Sequence, residues 1–414
     1  MTLPDNSDAA GLKPLAAATE LIRRLNEAQI GYGAFGDSQR IAQGLAGLSA
    51  LNLIVASADM DRLRAALTGM KAIRGLILAR KNAVAGPEHW FVPDFSCASY
   101  LHLEVTTEIR VKRQRQILRY EDIAWQVAPC PLPPLRVMPI DAALVVPASA
   151  VRRVSEFSPA FVSAGEGLRP GGLVVALIGP DGVGKSSQTA RLASIFQQKF
   201  QCRSVYLGSG DGGWKLRRAI QRRYYLWRGR NGNATIGPKY MKVRGTRSAF
   251  LIALSGLMSA IERTATLHRV RKSASSGAIV ISDRWPQNLQ AGLFDGPRLV
   301  PADASLSARI LSKISLRLHS TTARHKPALT IHLLCDFETS NARKPGDRDQ
   351  QEYEWRLSLM DKMRAHDPAI RVIDASRDFD EVTRSLFHCI WHALAAQEDA
   401  AVLQPIATSG LAAR

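Results

Sequence analysis

The chain has 414 residues, which exceeds the length that one hydrophobic core usually supports and therefore predicts two domains. Its composition, 46% hydrophobic and 22% charged, excludes an intrinsically disordered or fibrous protein. The net charge of +19 predicts an affinity for anionic partners or phosphorylated substrates.

Residues 1–14 carry acidic side chains and no apolar stretch, which argues against a secretory signal. The longest apolar run, residues 250–261, is shorter than the roughly 20 residues of a membrane span, so we expect it to form a buried helix. The cysteines are scattered without the spacing of a zinc site or a disulfide framework. Together these features predict a cytoplasmic protein.

The first part of the chain predicts a small α/β domain. Apolar residues at helical spacing predict a helix over residues 16–28, followed by strands at 31–35 and 51–55. Residues 59–69 begin with acidic side chains and continue with one apolar face, as in a helix. Residues 100–105 predict a further strand.

A break in regular structure separates this part from the rest of the chain. The prolines that interrupt helix or strand are Pro129, Pro131, Pro133, Pro134 and Pro139. A second polar stretch with glycines follows at residues 163–172. We therefore predict an N-terminal domain over residues 1–127, a linker over 128–170, a second domain over 171–400 and a tail over 401–414.

Residues 171–400 predict an α/β domain with a parallel sheet. The predicted strands, which helical segments separate, are residues 173–178, 204–207, 278–282, 329–335 and 371–373. Alternation of strands and helices is typical of a parallel sheet that helices cover on both faces.

The first of these strands runs directly into Gly-Pro-Asp-Gly-Val-Gly-Lys-Ser at residues 179–186, which matches the phosphate-binding pattern GxxxxGK[ST]. Backbone N–H groups can surround a phosphate only where no side chains intrude, and Gly182 and Gly184 meet that need. We expect Lys185 to neutralise the β- and γ-phosphates of a nucleotide and the Ser186 hydroxyl to bind Mg²⁺. The motif predicts the P-loop NTPase fold.

Positive charge is concentrated in residues 214–247, a basic segment without one acidic residue. Such a run is commonly a solvated helical face. The alternatives are an enlarged acceptor site for an anionic substrate, or a surface for an anionic partner or membrane. No specific nucleic-acid motif accompanies the segment.

Further segments make the second domain resemble the thymidylate kinase family. The loop of that family typically reads GxDGxGK[ST], and Asp181 stands at its acidic position. An apolar strand that ends in Asp-Arg-Trp at residues 283–285 resembles the family's Asp-Arg-Tyr signature. Residues 343–348 resemble its arginine-bearing lid, and residues 372–377 resemble its last strand and adenine-side loop.

The resemblance implies ATP-dependent phosphoryl transfer to a nucleoside monophosphate, with dTMP as the expected acceptor and ATP and Mg²⁺ as cofactors. The residues that it assigns to catalysis are Lys185, Asp283, Arg343 and Arg348. Those assigned to the nucleotide are Gly179, Asp181, Gly182, Gly184, Lys185, Ser186, Ser187, Ala375 and Ser376. Those assigned to the acceptor are Asp181, Arg263 and Arg284, and those assigned to the metal ion are Ser186 and Asp283.

Two departures from the family leave the acceptor open. Residues 207–213 lack the arginine with which the family helps to bind the acceptor, and residues 258–259 lack its base-stacking aromatic side chain. Three hypotheses therefore stand: a nucleoside monophosphate kinase, a kinase of a sugar or glycan, and a nucleotide-binding regulatory or assembly module. The resemblance is also compatible with a homodimer.

Residues 17–125 resemble the nucleotidyltransferase-like domain that accompanies thymidylate-kinase-like proteins of bacterial surface-polysaccharide gene clusters. Such transferases hold Mg²⁺ with two close carboxylates, whereas the matching positions here are Ala50 and Asn52, so we expect no transferase activity. His102 and Glu104 share one face of a predicted strand and are candidates for a remnant site, although we expect a structural or solvent-facing role for them.

Overall fold

The computed structural model describes the greater part of the chain. The described residues are 12–76, 87–111, 117–127, 133–138, 145–147, 167–168, 171–208, 246–289, 295–297, 304–346 and 349–402. The chain divides into two compact units, Met1–Pro170 with Lys199–Gln201 and Phe387–Arg414, and Gly171–Gln198 with Cys202–Leu386. Compactness alone does not establish separate domains, so the domain boundaries stay a prediction.

Among the described residues, the first unit contains an eight-stranded mixed sheet. Its strands are β1 (Tyr32–Phe35), β2 (Ala50–Val55), β3 (Ile73–Leu76), β4 (Glu88–Asp94), β5 (Ser99–Thr106), β8 (Gln126–Val127), β9 (Arg136–Met138) and β11 (Gly167–Leu168). Their order is β11-β3-β4-β5-β2-β1-β9-β8. The central strands β2 and β5 are parallel, whereas β4 and β5 are antiparallel.

A smaller three-stranded sheet accompanies it, with β6 (Glu108–Val111), β7 (Ile117–Arg119) and β10 (Val145–Pro147) in the order β10-β6-β7. The strands β9, β10 and β11 all fall within residues 128–170, for which the sequence predicts a linker. Parts of that stretch therefore pair with strands of the first unit.

Three helices share a hydrophobic core with the larger sheet: α1 (Ala16–Glu27), α2 (Ser38–Leu45) and α3 (Met60–Gly69). Apolar side chains at helical spacing place Leu21 and Leu25 of α1 in that core. The Asp37 side chain accepts a hydrogen bond of 2.7 Å from the backbone N–H of Arg40 and so caps α2. Each helix and strand predicted before residue 106 is present, with ends shifted by at most one residue.

The two faces of strands β4 and β5 differ in what covers them. Trp90 and Leu103 face the core formed with the three helices. Because side chains alternate along a strand, Phe91 of β4 and its cross-strand partner His102 of β5 point to the opposite face. There the Phe91 ring lies 4.4 Å from the ring of Phe200, and the Phe200 ring lies 6.3 Å from that of Trp391.

The second unit is built on a five-stranded sheet among the described residues. Its strands are β12 (Val174–Ile178), β13 (Cys202–Tyr206), β14 (Ile279–Asp283), β15 (Leu329–Leu334) and β16 (Arg371–Asp374). Their order is β13-β14-β12-β15-β16, and every neighbouring pair is parallel. All five residues of β14 are buried, as expected for a strand covered on both faces. The predicted α/β fold with a parallel sheet is confirmed.

The helices of this part of the chain are α4 (Lys185–Gln197), α5 (Thr246–Ser275), α6 (Leu306–Arg324), α7 (Phe337–Arg343), α8 (Gln350–His366) and α9 (Phe379–Val402). Side-chain caps fix the starts of three of them. Ser305, Asp336 and Asp349 accept hydrogen bonds from backbone N–H groups in the first turns of α6, α7 and α8.

Helix α5 contains the longest apolar run of the sequence. By length and composition alone, Ala249–Ser275 could cross a membrane, a test that core helices also pass. Ala253 and Ser259 are buried, whereas Phe250 and Ile261 are 38% and 39% exposed. The predicted helix is therefore present, but the expectation of a buried helix holds for one side of it only.

Two predictions from the sequence concern residues outside the described ranges. Nearly all of the basic segment lies within residues 209–245, and the lid residue Arg348 lies in 347–348.

Candidate active site

The loop between β12 and α4 has the shape that a phosphate-binding loop needs. Gly182 and Gly184 have φ angles of +88° and +91°, in the left-handed region that favours glycine. A Cβ atom on Gly182 would lie 2.5 Å from Oγ and 3.0 Å from the carbonyl oxygen of Ser340. Helix α4 begins at Lys185, so its unpaired N–H groups and its positive dipole end face the loop.

The Lys185 side chain lies folded over this loop. Its Nζ donates a hydrogen bond of 2.6 Å to the carbonyl oxygen of Pro180, and the residue is 5% exposed. Burial and the nearby positive charge of Arg284 lower the pKa of Lys185 to about 8, against the opposing effect of Asp181. A buried ammonium group of this kind gains from an anion placed beside it.

The carboxylate of Asp283, at the end of β14, meets the first turn of α4. Ser186 Oγ donates a hydrogen bond of 2.5 Å to Asp283 Oδ2. The other carboxylate oxygen, Oδ1, is buried and has no hydrogen-bond partner among the described residues. A hydroxyl beside a carboxylate with a spare oxygen is a donor set of the type that Mg²⁺ prefers.

Arg284 connects the same strand end to the loop. Its guanidinium donates a hydrogen bond of 2.5 Å to Asp181 Oδ1 and lies 5.9 Å from the centre of the Tyr206 ring. Arg284 has a φ of +75°, which is strained for a residue other than glycine and is common at functional sites. Although burial acts to lower the pKa of Arg284, the carboxylates of Asp295 and Asp181 raise it above its ordinary value.

Asp295 joins two arginines that the sequence assigns to the acceptor. Arg263 donates a hydrogen bond of 3.0 Å to Asp295 Oδ1, and the Arg284 guanidinium lies 3.5 Å from Oδ2. Arg263 also donates to the carbonyl oxygens of Leu207, at 2.9 Å, and Asp295, at 3.2 Å. The side chains of Arg263 and Asp295 are only 7% and 4% exposed. Asp295 was not predictable from the sequence, because no motif surrounds it.

A cavity of about 490 Å³ lies over the loop. Its lining residues are Asp181, Gly182, Val183, Gly184, Lys185, Ser186, Ser187, Gln188, Arg284, Arg343, Lys344, Ala375, Arg377, Phe379 and Val382. The volume is in the range of ligand pockets, and one wall is the glycine loop while the other includes the segment after β16. Residues from the loop, the lid and the segment after the last strand therefore line one cavity.

Two residues that the sequence assigns to the nucleotide, Gly179 and Ser376, are not among the residues that line this cavity. Gly179 packs tightly against β15, since a Cβ atom on it would lie 2.4 Å from the Leu333 carbonyl oxygen. The Ser376 hydroxyl donates a hydrogen bond of 3.0 Å to Asp336 Oδ2, so it is engaged at the cap of α7. Arg377 and Phe379 also line the cavity, but the sequence did not single out either residue. Arg377 ends the segment 372–377, and Phe379 lies two residues further on.

In the parallel sheet, a glycine loop joins the first strand to a helix whose N-terminus faces that loop. This arrangement defines the P-loop fold, which binds the phosphates of nucleotides. No family model matches the chain. The uncharacterized ATP-binding protein YghR of Escherichia coli K12 is 32% identical over 213 residues, which are 50% of this chain and 83% of that protein. The chain therefore belongs to the family of YghR.

Two thymidylate kinases also show similarity to the chain. The enzyme of Bifidobacterium longum NCC 2705 is 28% identical over 212 residues, which are 51% of this chain and 93% of that protein. The solved thymidylate kinase of Candida albicans is 17% identical, covers 54% of this chain and 93% of its own, and has a TM-score of 0.32.

Proposed function

We propose that this protein is an ATP-dependent kinase that transfers a phosphoryl group to a nucleoside monophosphate, with dTMP as the first candidate acceptor. The observation that carries the proposal is the convergence of two groups around one cavity. Lys185 and Ser186 line this cavity, and so do Asp181 and Arg284, which form an ion pair. The names of the relatives, an ATP-binding protein and a thymidylate kinase, support the same reading.

Phosphoryl transfer depends mainly on orientation and on positive charge near the transferring group. The backbone N–H groups of the loop and the Lys185 ammonium would hold the phosphates of ATP. Asp181 would accept a hydrogen bond from a hydroxyl of the acceptor. Arg343, at the end of α7, lines the same cavity and would offset charge on the transferring group.

Magnesium fits the residues beside the loop. When bound, Mg²⁺ would neutralise charge on the β- and γ-phosphates. The Ser186 hydroxyl and the Asp283 carboxylate would hold it, and Oδ1 of Asp283 has no other partner among the described residues. The nearby carboxylate of Asp181 forms an ion pair with Arg284, so we do not assign it to the metal ion.

The test is the formation of ADP and dTDP from ATP and dTMP in the presence of Mg²⁺. We expect turnover by the wild-type protein and its loss in Lys185→Met, which removes the buried ammonium but keeps a side chain of similar length. The matched control is Lys326→Met, because Lys326 is a surface lysine whose side chain is 74% exposed. Absence of ADP formation by the wild-type protein, or full activity of Lys185→Met, would contradict the proposal.

A second candidate is a kinase whose acceptor is a sugar or another hydroxyl compound without a phosphate. The resemblance assigns Arg263 and Arg284 to the acceptor phosphate, yet both bind the buried carboxylate of Asp295. An acceptor phosphate beside these arginines would also face that negative charge. A neutral acceptor would avoid this repulsion, which is the observation that favours the second candidate.

Asp295→Asn separates the two candidates, because it removes the charge and keeps the shape of the side chain. If Asp295 disfavours acceptor phosphates, the variant should raise kcat/KM for dTMP relative to thymidine or a free sugar by at least about tenfold, or 1.4 kcal/mol. Asp361→Asn is the control, since this carboxylate is 57% exposed on α8. An unchanged ratio between phosphorylated and unphosphorylated acceptors would remove the argument from Asp295.

A further inference from the structure

Two histidines and a glutamate meet on one face of the larger sheet of the first unit. His89 lies on β4, and His102 and Glu104 lie on the adjacent antiparallel strand β5. The register pairs His89 directly with Glu104, and His102 is two residues further along β5, so all three side chains share a face. One ligand atom from each lies within 4.8 Å of the other two.

The spacing of the nitrogen atoms is close to that of a metal site. Nδ1 of His89 lies 3.0 Å from Nε2 of His102. Two nitrogens bound at about 2.0–2.1 Å to a tetrahedral ion would be separated by about 3.3 Å. A shift of a few tenths of an ångström would therefore admit an ion. Imidazole and carboxylate together suit Zn²⁺ and its neighbours, whereas Mg²⁺ and Ca²⁺ prefer oxygen ligands alone.

The surrounding residues hold the two rings in place. His89 and His102 are 5% and 6% exposed. The His102 ring stacks on Phe91, with centroids 4.5 Å apart and planes 17° apart, and Phe91 is itself packed against Phe200. Ligands that are already ordered lose little conformational entropy when they bind an ion. Glu104 is only half-buried, which leaves the ion a route from solvent.

We propose that His89, His102 and Glu104 form a binding site for one divalent transition-metal ion of the Zn²⁺ class. Three protein ligands leave a further coordination position for water, as in catalytic rather than structural zinc sites. The competing explanation is a plain hydrogen bond between the two imidazoles, without an ion. None of the three residues belongs to the unit that carries the P-loop, so this proposal is independent of the kinase proposal and is tested separately.

The experiment uses the full-length protein without a histidine tag. Co²⁺ is titrated in and followed by its visible absorption, and Zn²⁺ binding is measured by calorimetry. We expect one ion per chain, and a loss of affinity of at least about tenfold in His89→Gln and in Glu104→Gln. Far-UV circular dichroism verifies that each variant is folded. If His89→Gln does not fold, Glu104→Gln carries the test, because its position is half-buried.

A matched control distinguishes this site from adventitious binding. His388 and His392 are exposed on α9 with ring centroids 4.3 Å apart, so this surface pair could also collect ions. The proposal predicts that His388→Gln binds Co²⁺ and Zn²⁺ as the wild-type protein does. Lack of binding by the wild-type protein, or binding that His388→Gln weakens and Glu104→Gln leaves unchanged, would overturn it.

Discussion

Lys185 holds a positive charge in a buried position, and that position has a cost in stability. Burial lowers its pKa from the ordinary 10.5 to about 8, so between these values the unfolded chain binds the proton more tightly than the native protein does. The cost is therefore complete below pH 8 and falls as the pH rises toward 10.5. A nucleotide phosphate would relieve the same cost by pairing with the ammonium group.

We predict that Lys185→Met makes the nucleotide-free protein more stable at pH 7, by about 1–2 kcal/mol, because the buried charge is removed. The gain should shrink at pH 9.5, where the native wild-type lysine is largely neutral. Urea denaturation of both proteins at the two pH values measures the difference, with Lys326→Met as the control. A variant that is less stable at pH 7, or a gain that does not change with pH, would contradict this account of Lys185.

Individual site residues were predictable only where a motif fixes their position. Lys185, Ser186 and Asp181 follow from the spacing of the loop, because backbone geometry leaves no other place for those side chains. Asp295 was missed, since its role depends on two arginines that lie 32 and 11 residues away in the sequence. A carboxylate that serves as a partner of distant arginines has no local pattern by which it could be found.

At the scale of elements, a glycine of the P-loop and a glycine that follows α7 have similar backbone angles but different surroundings. Gly182 and Gly346 both have left-handed φ angles, +88° and +71°. A Cβ atom on Gly182 would overlap Ser340, whereas one on Gly346 would have no atom within 4 Å. Substitution of Gly346 therefore introduces backbone strain alone, while substitution of Gly182 adds an overlap inside the phosphate site.

We predict that Gly182→Ala lowers the free energy of unfolding by roughly 1–3 kcal/mol more than Gly346→Ala does, because overlap adds to backbone strain. ATP affinity should fall at least about tenfold in Gly182→Ala, since the loop must move away from the phosphate. Urea denaturation and a direct ATP-binding titration measure the two effects. Equal loss of stability in both variants would show that the contact with Ser340 plays no part.

The strands of the parallel sheet were predictable because each is a continuous apolar run bounded by polar residues. Strand β14, with every residue buried, is the clearest case. Strand β4 was not predicted from the sequence. It contains Pro93, which is uncommon inside strands, and His89 on a covered face, so its polar and apolar residues do not alternate as in a typical strand. Helix α2 was missed as well, since it is short and begins from the cap at Asp37 rather than from a long apolar stripe.

At the scale of the whole molecule, the predicted linker and the compact units divide the chain at different places. Prolines and glycines interrupt regular structure in residues 128–170 and predict a linker there. The compact units, in contrast, place Lys199–Gln201 and Phe387–Arg414 with the N-terminal part. Contacts between segments that are far apart in the chain have no local sequence signal, so the sequence does not predict such a division. The role of the basic segment stays a prediction, because residues 209–245 lie outside the described part of the chain. The homodimer that the resemblance allows also stays a prediction.

We propose that phosphoryl transfer takes place beside the carboxylate of Asp283. The most direct test is the steady-state rate of ADP formation with ATP and the best acceptor, measured in parallel for the wild-type protein, Asp283→Asn and Asp361→Asn. Our account predicts a fall of about 10² in kcat for Asp283→Asn, with wild-type rates for Asp361→Asn, because only the first carboxylate lies beside Ser186 and the phosphate loop. A rate in Asp283→Asn equal to that of the wild-type protein would contradict it.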